Sequence, residues 1–88
     1  MRTYTIDLDD VFNADELQRA IRDTLPLPEH YGNNLDALYD VLTEWTDEVS
    51  ITFLNTDEAE VTMPKLIRAL HRLCEDVQEE NPNIEIPV

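Results

Sequence analysis

The chain is organised around residues 29–45, EHYGNNLDALYDVLTEW, which are typical of a turn followed by a helix. Gly32 is the only glycine of the chain, and its backbone freedom predicts a tight turn at this point. The apolar side chains of the helix recur every three or four residues, which predicts a core-facing stripe of Leu35, Leu38, Leu42 and Trp45. The opposite, outward face then carries Asp36, Tyr39, Asp40 and Thr43.

Two aspartates stand one helical turn apart on the outward face, at positions 36 and 40. Like charges at this spacing destabilise a helix by about 0.2–0.5 kcal/mol, so helix stability does not explain them. Carboxylates accept charge-assisted hydrogen bonds, bidentate ones from arginine, and the aromatic residues His30, Tyr31 and Tyr39 lie close to them. The residues are therefore compatible with a binding surface for a cationic cleft and also with an ordinary solvated helix face.

The composition describes one small and very acidic domain, which we place at residues 1–88. Twenty acidic residues against six basic ones give a net charge of −14. This field disfavours direct binding to nucleic acid or to an anionic membrane, and it attracts basic proteins. Solubility or adaptation to high salt is the alternative explanation, because Lys65 is the only lysine. We expect the free protein to be a monomer.

The expected location is the cytoplasm. The single cysteine, Cys74, cannot form an internal disulfide, so the sequence does not indicate an oxidising compartment. No apolar run approaches the roughly 18 residues that span a membrane. The first ten residues, MRTYTIDLDD, are too polar and acidic for a signal peptide.

Three segments alternate apolar and polar residues and are predicted to be strands: residues 2–8, 49–54 and 84–88. Helices are predicted between these strands. Strands that are separated by helices are usually parallel and joined by right-handed crossovers, so a parallel sheet is expected. The alternation indicates that only one face of the sheet is covered. The predicted fold is α/β in two layers, with a three-stranded parallel sheet in the order 1-2-3 and three to four helices mainly on one face.

The helix starts are predicted from capping residues. Asn13 with Glu16 three residues later forms a capping-box pattern, and either Asn33 or Asn34 caps the second helix. Thr62 is predicted to cap the last helix, which ends near Asn81. The preceding segment, residues 55–61, is compatible with a loop or with a short helix.

The sequence offers little support for an enzyme, a metal site or a cofactor. A glycine-rich phosphate loop and a paired-cysteine metal pattern are both missing. His71 is three residues from Cys74, but Cys74 lies on the apolar face of its helix, which favours a buried thiol. His30 has no nearby nucleophile to serve as a general base, and the acidic pairs Asp9–Asp10 and Asp57–Glu58 lack the spacing of a calcium loop. We expect a protein that is not an enzyme.

The run from Leu27 to Asp40, LPEHYGNNLDALYD, closely resembles the signature of the barstar family, and Thr43 and Trp45 extend the match. Chain length and element order fit the family as well, so the resemblance covers the whole chain. It implies a barstar-like fold and an intracellular inhibitor that plugs the active-site cleft of a basic, barnase-like ribonuclease with an acidic helix and its preceding loop. An immunity or regulatory binding module for another basic protein is the alternative function.

The resemblance also implies the partner-binding residues. Asp40 would be the central anchor and Asp36 its companion, while Asp76 matches a family glutamate on the last helix. His30 and Tyr39 stand where the family commonly has tyrosine and tryptophan, and Glu44 replaces a small residue and enlarges the negative patch. The complete expected surface is His30, Tyr31, Gly32, Asn34, Asp36, Tyr39, Asp40, Thr43, Glu44, Trp45 and Asp76.

Overall fold

A computed structural model describes residues 2–87. In chain order the elements are β1 (Arg2–Asp7), α1 (Ala14–Thr24), α2 (Leu35–Thr43), β2 (Val49–Leu54), α3 (Thr56–Thr62), α4 (Pro64–Glu80) and β3 (Ile84–Glu85). The strands form one parallel sheet in the order β1-β2-β3, which confirms the predicted α/β fold and strand order.

The three strands contribute unequally to the sheet. β1 and β2 pair along their whole length, from Arg2 opposite Val49 to Asp7 opposite Leu54. β3 pairs only through its two residues, so the predicted strand at 84–88 was too long, and Val88 lies outside the described residues. Ile86 is still buried. Its N–H donates to Oε1 of Gln78 on α4 (2.9 Å) instead of to a strand.

Helix α1 begins as its capping pattern predicts. The side-chain oxygen Oδ1 of Asn13 accepts a hydrogen bond from the Glu16 N–H (2.9 Å), and Oε1 of Glu16 accepts one from the Phe12 N–H (3.0 Å). The buried side chains of α1 include Leu17 and Ile21, which face the core beside β1. Pro26 and Pro28 follow the end of α1, and the loop before α2 begins directly after them.

The segment left open by the sequence is a helix, α3. Asn55 adopts a left-handed conformation (φ 63°), and its Nδ2 donates to Oδ1 of Asp7 (2.7 Å), so the chain turns directly from β2 into α3. The prediction that Thr62 caps the last helix was wrong, because Thr62 ends α3. Helix α4 follows after Met63 and begins at Pro64, whose missing N–H is tolerated in a first turn.

The core lies between the sheet and the helices. Helix α4 contributes five buried residues to it, and α2 packs against α4 through Leu38 and Leu42. This packing leaves the other face of α2 at the surface beside the exposed side of α4. Within residues 2–87, no helix is long and apolar enough to cross a membrane.

Candidate functional site

Hydrogen bonds between its own residues stabilise the tight turn of the loop before α2. The N–H of Tyr31 donates to the Pro28 carbonyl (3.0 Å), and Nδ2 of Asn34 donates to the Gly32 carbonyl (3.2 Å). The left-handed residue is Asn33 (φ 55°) and not Gly32. Space at Gly32 is limited, because a Cβ at this position would lie 3.2 Å from Cβ of Ala37 in the first turn of α2, which is a tight contact. The glycine therefore lets the loop lie close against the helix that it introduces.

Tyr31 does not lie on the outward surface where the sequence placed it. Its side chain is only 7% exposed, and its hydroxyl donates to Oε1 of Gln18 on α1 at 2.5 Å. Burial raises the pKa of Tyr31 to about 12, although the nearby Arg22 acts in the opposite direction. The Tyr31 ring belongs to the core, so Tyr31 connects the loop to α1 and offers little side-chain surface to a partner.

The exposed face of α2 matches the predicted face in most respects. Asn34, and not Asn33, caps the helix, because its Oδ1 accepts a hydrogen bond from the Ala37 N–H (2.7 Å). Asp36 and Asp40 are both exposed, as their spacing predicts. Thr43 is half-buried, and its hydroxyl donates to the helix carbonyls of Tyr39 (2.8 Å) and Asp40 (3.1 Å).

Carboxylates converge on Tyr39 from two helices. The pKa of Tyr39 is raised first by partial burial and then by the carboxylates of Glu80, Asp76, Asp40 and Glu79. Three of these four acids lie on α4, so α4 extends the negative field that begins on α2. Asp76 thus reaches the surface where the resemblance placed it, whereas the contributions of Glu79 and Glu80 were not predicted from the sequence.

A groove of about 370 Å³ runs between α2 and α4 beside Tyr39. Asp36 lines it from α2, and Asp76 lines it from α4. Arg72 also lines this groove and was missed by the sequence analysis, although its position four residues before Asp76 places it on the same face of α4. Most of the lining is apolar and comes from Leu35, Ala69 and Leu73, while Asp36, Asp76 and Arg72 are its charged residues.

A second groove, of about 340 Å³, lies on the other side of Asp40. His30, Tyr31 and Gly32 line it from the loop, and Asp40 and Glu44 line it from α2 and its C-terminal end. Trp45 is half-buried and shares a third hollow with Glu44. Nine of the eleven expected residues line these three hollows, and Asn34 and Thr43 line none of them. We call the expected residues other than the buried Tyr31 the α2 surface: His30, Gly32, Asn34, Asp36, Tyr39, Asp40, Thr43, Glu44, Trp45 and Asp76.

The other candidate residues remain apart from this surface. Cys74 is buried, and this burial, with a smaller contribution from Glu75, raises the pKa of its thiol to about 12. Within the described part of the chain, no three His, Cys, Asp or Glu side chains come together as metal ligands do. The acids of the α2 surface lie on α2, on its C-terminal end and on α4, so they can bind several cations of a partner separately.

Comparison with known proteins agrees with this geometry. The model of the family described as "Barstar (barnase inhibitor)" matches residues 1–88. The chain belongs to the barstar family. A similar protein, named "Putative ribonuclease inhibitor YrdF", comes from Bacillus subtilis (strain 168). It is 32% identical over 81 residues, which cover 91% of this chain and 89% of that protein. Proteins of the barstar family are inhibitors and not enzymes, which confirms the expectation drawn from the sequence.

Proposed function

We propose that this protein inhibits a basic, barnase-like ribonuclease by inserting α2 and its preceding loop into the cleft of the nuclease active site. The observation that carries the proposal is the convergence of Asp36, Asp40 and Asp76 around Tyr39 on the exposed side of a barstar-family fold. The curated relative from Bacillus subtilis carries the name of a ribonuclease inhibitor, which supports the same class of partner.

The chemistry follows from what such a cleft has to bind. A ribonuclease holds RNA phosphates with arginine, lysine and histidine, and a carboxylate can accept the same charge-assisted hydrogen bonds. Asp40 lies between the Asp36 side and the Glu44 side of the surface, so it is the central anchor in this proposal. Asp36 and Asp76 supply further negative charge on one side, and Glu44 supplies it on the other. The carboxylates thus occupy the positions of phosphates.

Several features suit the α2 surface to a protein partner. Tyr39 is a half-buried aromatic residue among exposed carboxylates, and aromatic residues are enriched in the cores of protein interfaces. The net charge of −14 attracts a basic nuclease over a distance of about one Debye length, roughly 10 Å at 0.1 M salt. The protein acts in this proposal as a monomer in the cytoplasm, one copy for each nuclease molecule.

The proposal is tested by titrating the protein into a barnase-like ribonuclease and measuring the cleavage of RNA. The wild-type protein should stop cleavage at a stoichiometric ratio. Asp40→Asn should weaken inhibition about 10- to 100-fold, because a hydrogen bond to a charged group contributes about 1.5–3 kcal/mol. The matched control, Glu58→Gln on α3, makes the same change of charge away from the α2 surface and should inhibit normally.

Two results would contradict parts of the proposal. Equal inhibition by Asp40→Asn and by the wild-type protein would remove Asp40 as the anchor. Full RNA cleavage in the presence of excess wild-type protein, together with tight binding to a basic protein that is not a nuclease, would replace the proposed function with that of a regulatory or immunity module.

A further inference from the structure

We infer that Gln18 and Tyr31 are positioning residues for inhibition: their buried hydrogen bond holds the loop of residues 28–34 in the shape that enters the partner. The inference rests on the proposed function, because it names the residues that prepare that surface. Neither side chain lies on the α2 surface. Gln18 belongs to α1, a different helix, and is 6% exposed, while the Tyr31 side chain is 7% exposed.

The hydrogen bond between these residues is short and buried, at 2.5 Å between the Tyr31 hydroxyl and Oε1 of Gln18. A polar side chain loses its hydration when it is buried, so a buried glutamine is retained only where a partner compensates for that loss. A leucine at position 18 would continue the apolar stripe of Leu17 and Ile21 without this requirement. We therefore infer that Gln18 is present to accept the hydrogen bond of Tyr31, which is a residue of the loop.

The bond is connected to the first turn of α2 through the loop itself. The Tyr31 hydroxyl also lies 3.2 Å from the carbonyl oxygen of Asn34. Asn34 in turn contacts the Gly32 carbonyl and caps α2 through the Ala37 N–H. The Tyr31 hydroxyl thus lies between α1 and the residue that caps α2, and its hydrogen bond to Gln18 holds the Tyr31 ring at that place.

Apart from the hydrogen bonds within the loop and to the first turn of α2, few side chains tie the loop to the rest of the fold, since Glu29, His30, Gly32, Asn33 and Asn34 are all exposed. A loop that samples other conformations must be ordered when it binds, and its apparent affinity falls by the fraction of time spent in the competent conformation. The Gln18–Tyr31 bond removes that cost before the partner arrives. Its loss should weaken inhibition while the exposed α2 surface keeps every one of its side chains.

The test uses Gln18→Leu, Tyr31→Phe and the double variant. Tyr31→Phe leaves the buried amide oxygen of Gln18 without its donor and should lower the urea midpoint of unfolding. Gln18→Leu leaves the Tyr31 hydroxyl only the longer bond to the Asn34 carbonyl (3.2 Å) and should lower the midpoint less. The double variant removes both groups and should recover most of that loss. The carbonyl of Asn34 stays satisfied throughout, because it also accepts the Leu38 N–H (3.1 Å). Stability and loop position are thereby separated in one protein.

Two measurements are made on each variant. Hydrogen exchange of the amides of residues 31–34 in the free protein reports the order of the loop without any nuclease. The inhibition constant is measured on a ribonuclease that the wild-type protein inhibits. Gln78→Leu is the matched control, since Gln78 makes comparable hydrogen bonds to Ile86 near β3, away from the loop. It should lower stability and leave both loop exchange and inhibition unchanged.

We expect the double variant to unfold near the wild-type urea midpoint, to exchange its loop amides faster, and to inhibit about 5- to 10-fold more weakly. Wild-type loop exchange in the double variant would overturn the inference whatever the nuclease result. Faster exchange with unchanged inhibition would also overturn the inference, because it would show that inhibition does not need an ordered loop. If the wild-type protein inhibits no ribonuclease, the proposed function fails, and loop exchange still reports separately on the Gln18–Tyr31 bond.

Discussion

Asn81 is the residue whose replacement should most clearly expose how α2 is fastened to the rest of the fold. Its side chain is 5% exposed, and Nδ2 donates to the carbonyls of Leu42 and Trp45, both at 2.8 Å. Oδ1 also accepts the Asn83 N–H at 3.0 Å. Each such bond contributes about 0.5–1.5 kcal/mol net, so Asn81→Leu should lower the free energy of unfolding by about 2–3 kcal/mol after some gain from the apolar side chain.

The measurement is urea unfolding followed by fluorescence of Trp45, the only tryptophan, whose carbonyl is one of the two acceptors. For a chain of this size, the loss corresponds to a fall of the melting temperature of roughly 8–24 °C. Asn83→Leu is the control, because its side chain makes one longer bond, at 3.3 Å to the Thr46 carbonyl. A loss below about 1 kcal/mol in Asn81→Leu, equal to that of the control, would refute the stabilising role of these bonds.

Three further predictions concern titration, reactivity and association. Burial raises the pKa values of Cys74 and Tyr31 to about 12, from 9.0 and 10.0, so both groups keep their protons longer in the folded state. The stability that these two groups contribute should be complete below pH 9 and should be lost from pH 9 to about 12, as unfolding releases their protons; Tyr31→Phe should remove the part of the loss that begins at pH 10, and a melting temperature that stays flat from pH 9 to 12 would contradict this. Cys74 should resist a thiol reagent at pH 8 in the native protein and react fully in urea, whereas rapid native labelling would show that the thiol is accessible. The association rate with a basic ribonuclease should fall steeply with added salt, and a rate that does not depend on salt would exclude electrostatic steering.

The sequence predicted those parts of the fold that depend on local patterns. The alternation in β1 and β2, the Asn13 cap and the burial of Leu38 and Leu42 are set by neighbours within one or two turns, and these were confirmed. The helix ends at Thr43, so the predicted helical stripe was too long at Trp45. The length of β3 was not predictable in this way. The backbone after Glu85 leaves the sheet because Ile86 bonds to Gln78 eight residues earlier, a contact that only the packing of α4 creates.

The candidate site shows the same division. Asp36 and Asp40 were placed correctly because helical spacing alone puts them on one face. Tyr31 was misplaced because an aromatic residue in a polar loop can face either way, and Gln18, thirteen residues earlier, decides the direction. Arg72 was missed because helical spacing gives only its position on α4. Whether Arg72 lines the groove depends on how α4 packs beside α2, which local patterns do not predict.

The buried polar groups of the fold are concentrated on one task. Among residues 2–87, the buried side chains classed as polar are Gln18 and Asn81, and each holds one end of α2. Gln18 holds the loop at its N-terminus through Tyr31, and Asn81 holds the carbonyls at its C-terminus. Burying an amide costs free energy unless it is hydrogen-bonded, and both amides make their hydrogen bonds to the ends of α2. A helix that carries repelling aspartates into a cationic cleft does need fixed ends, because every restraint made in the free protein is one that binding no longer has to impose.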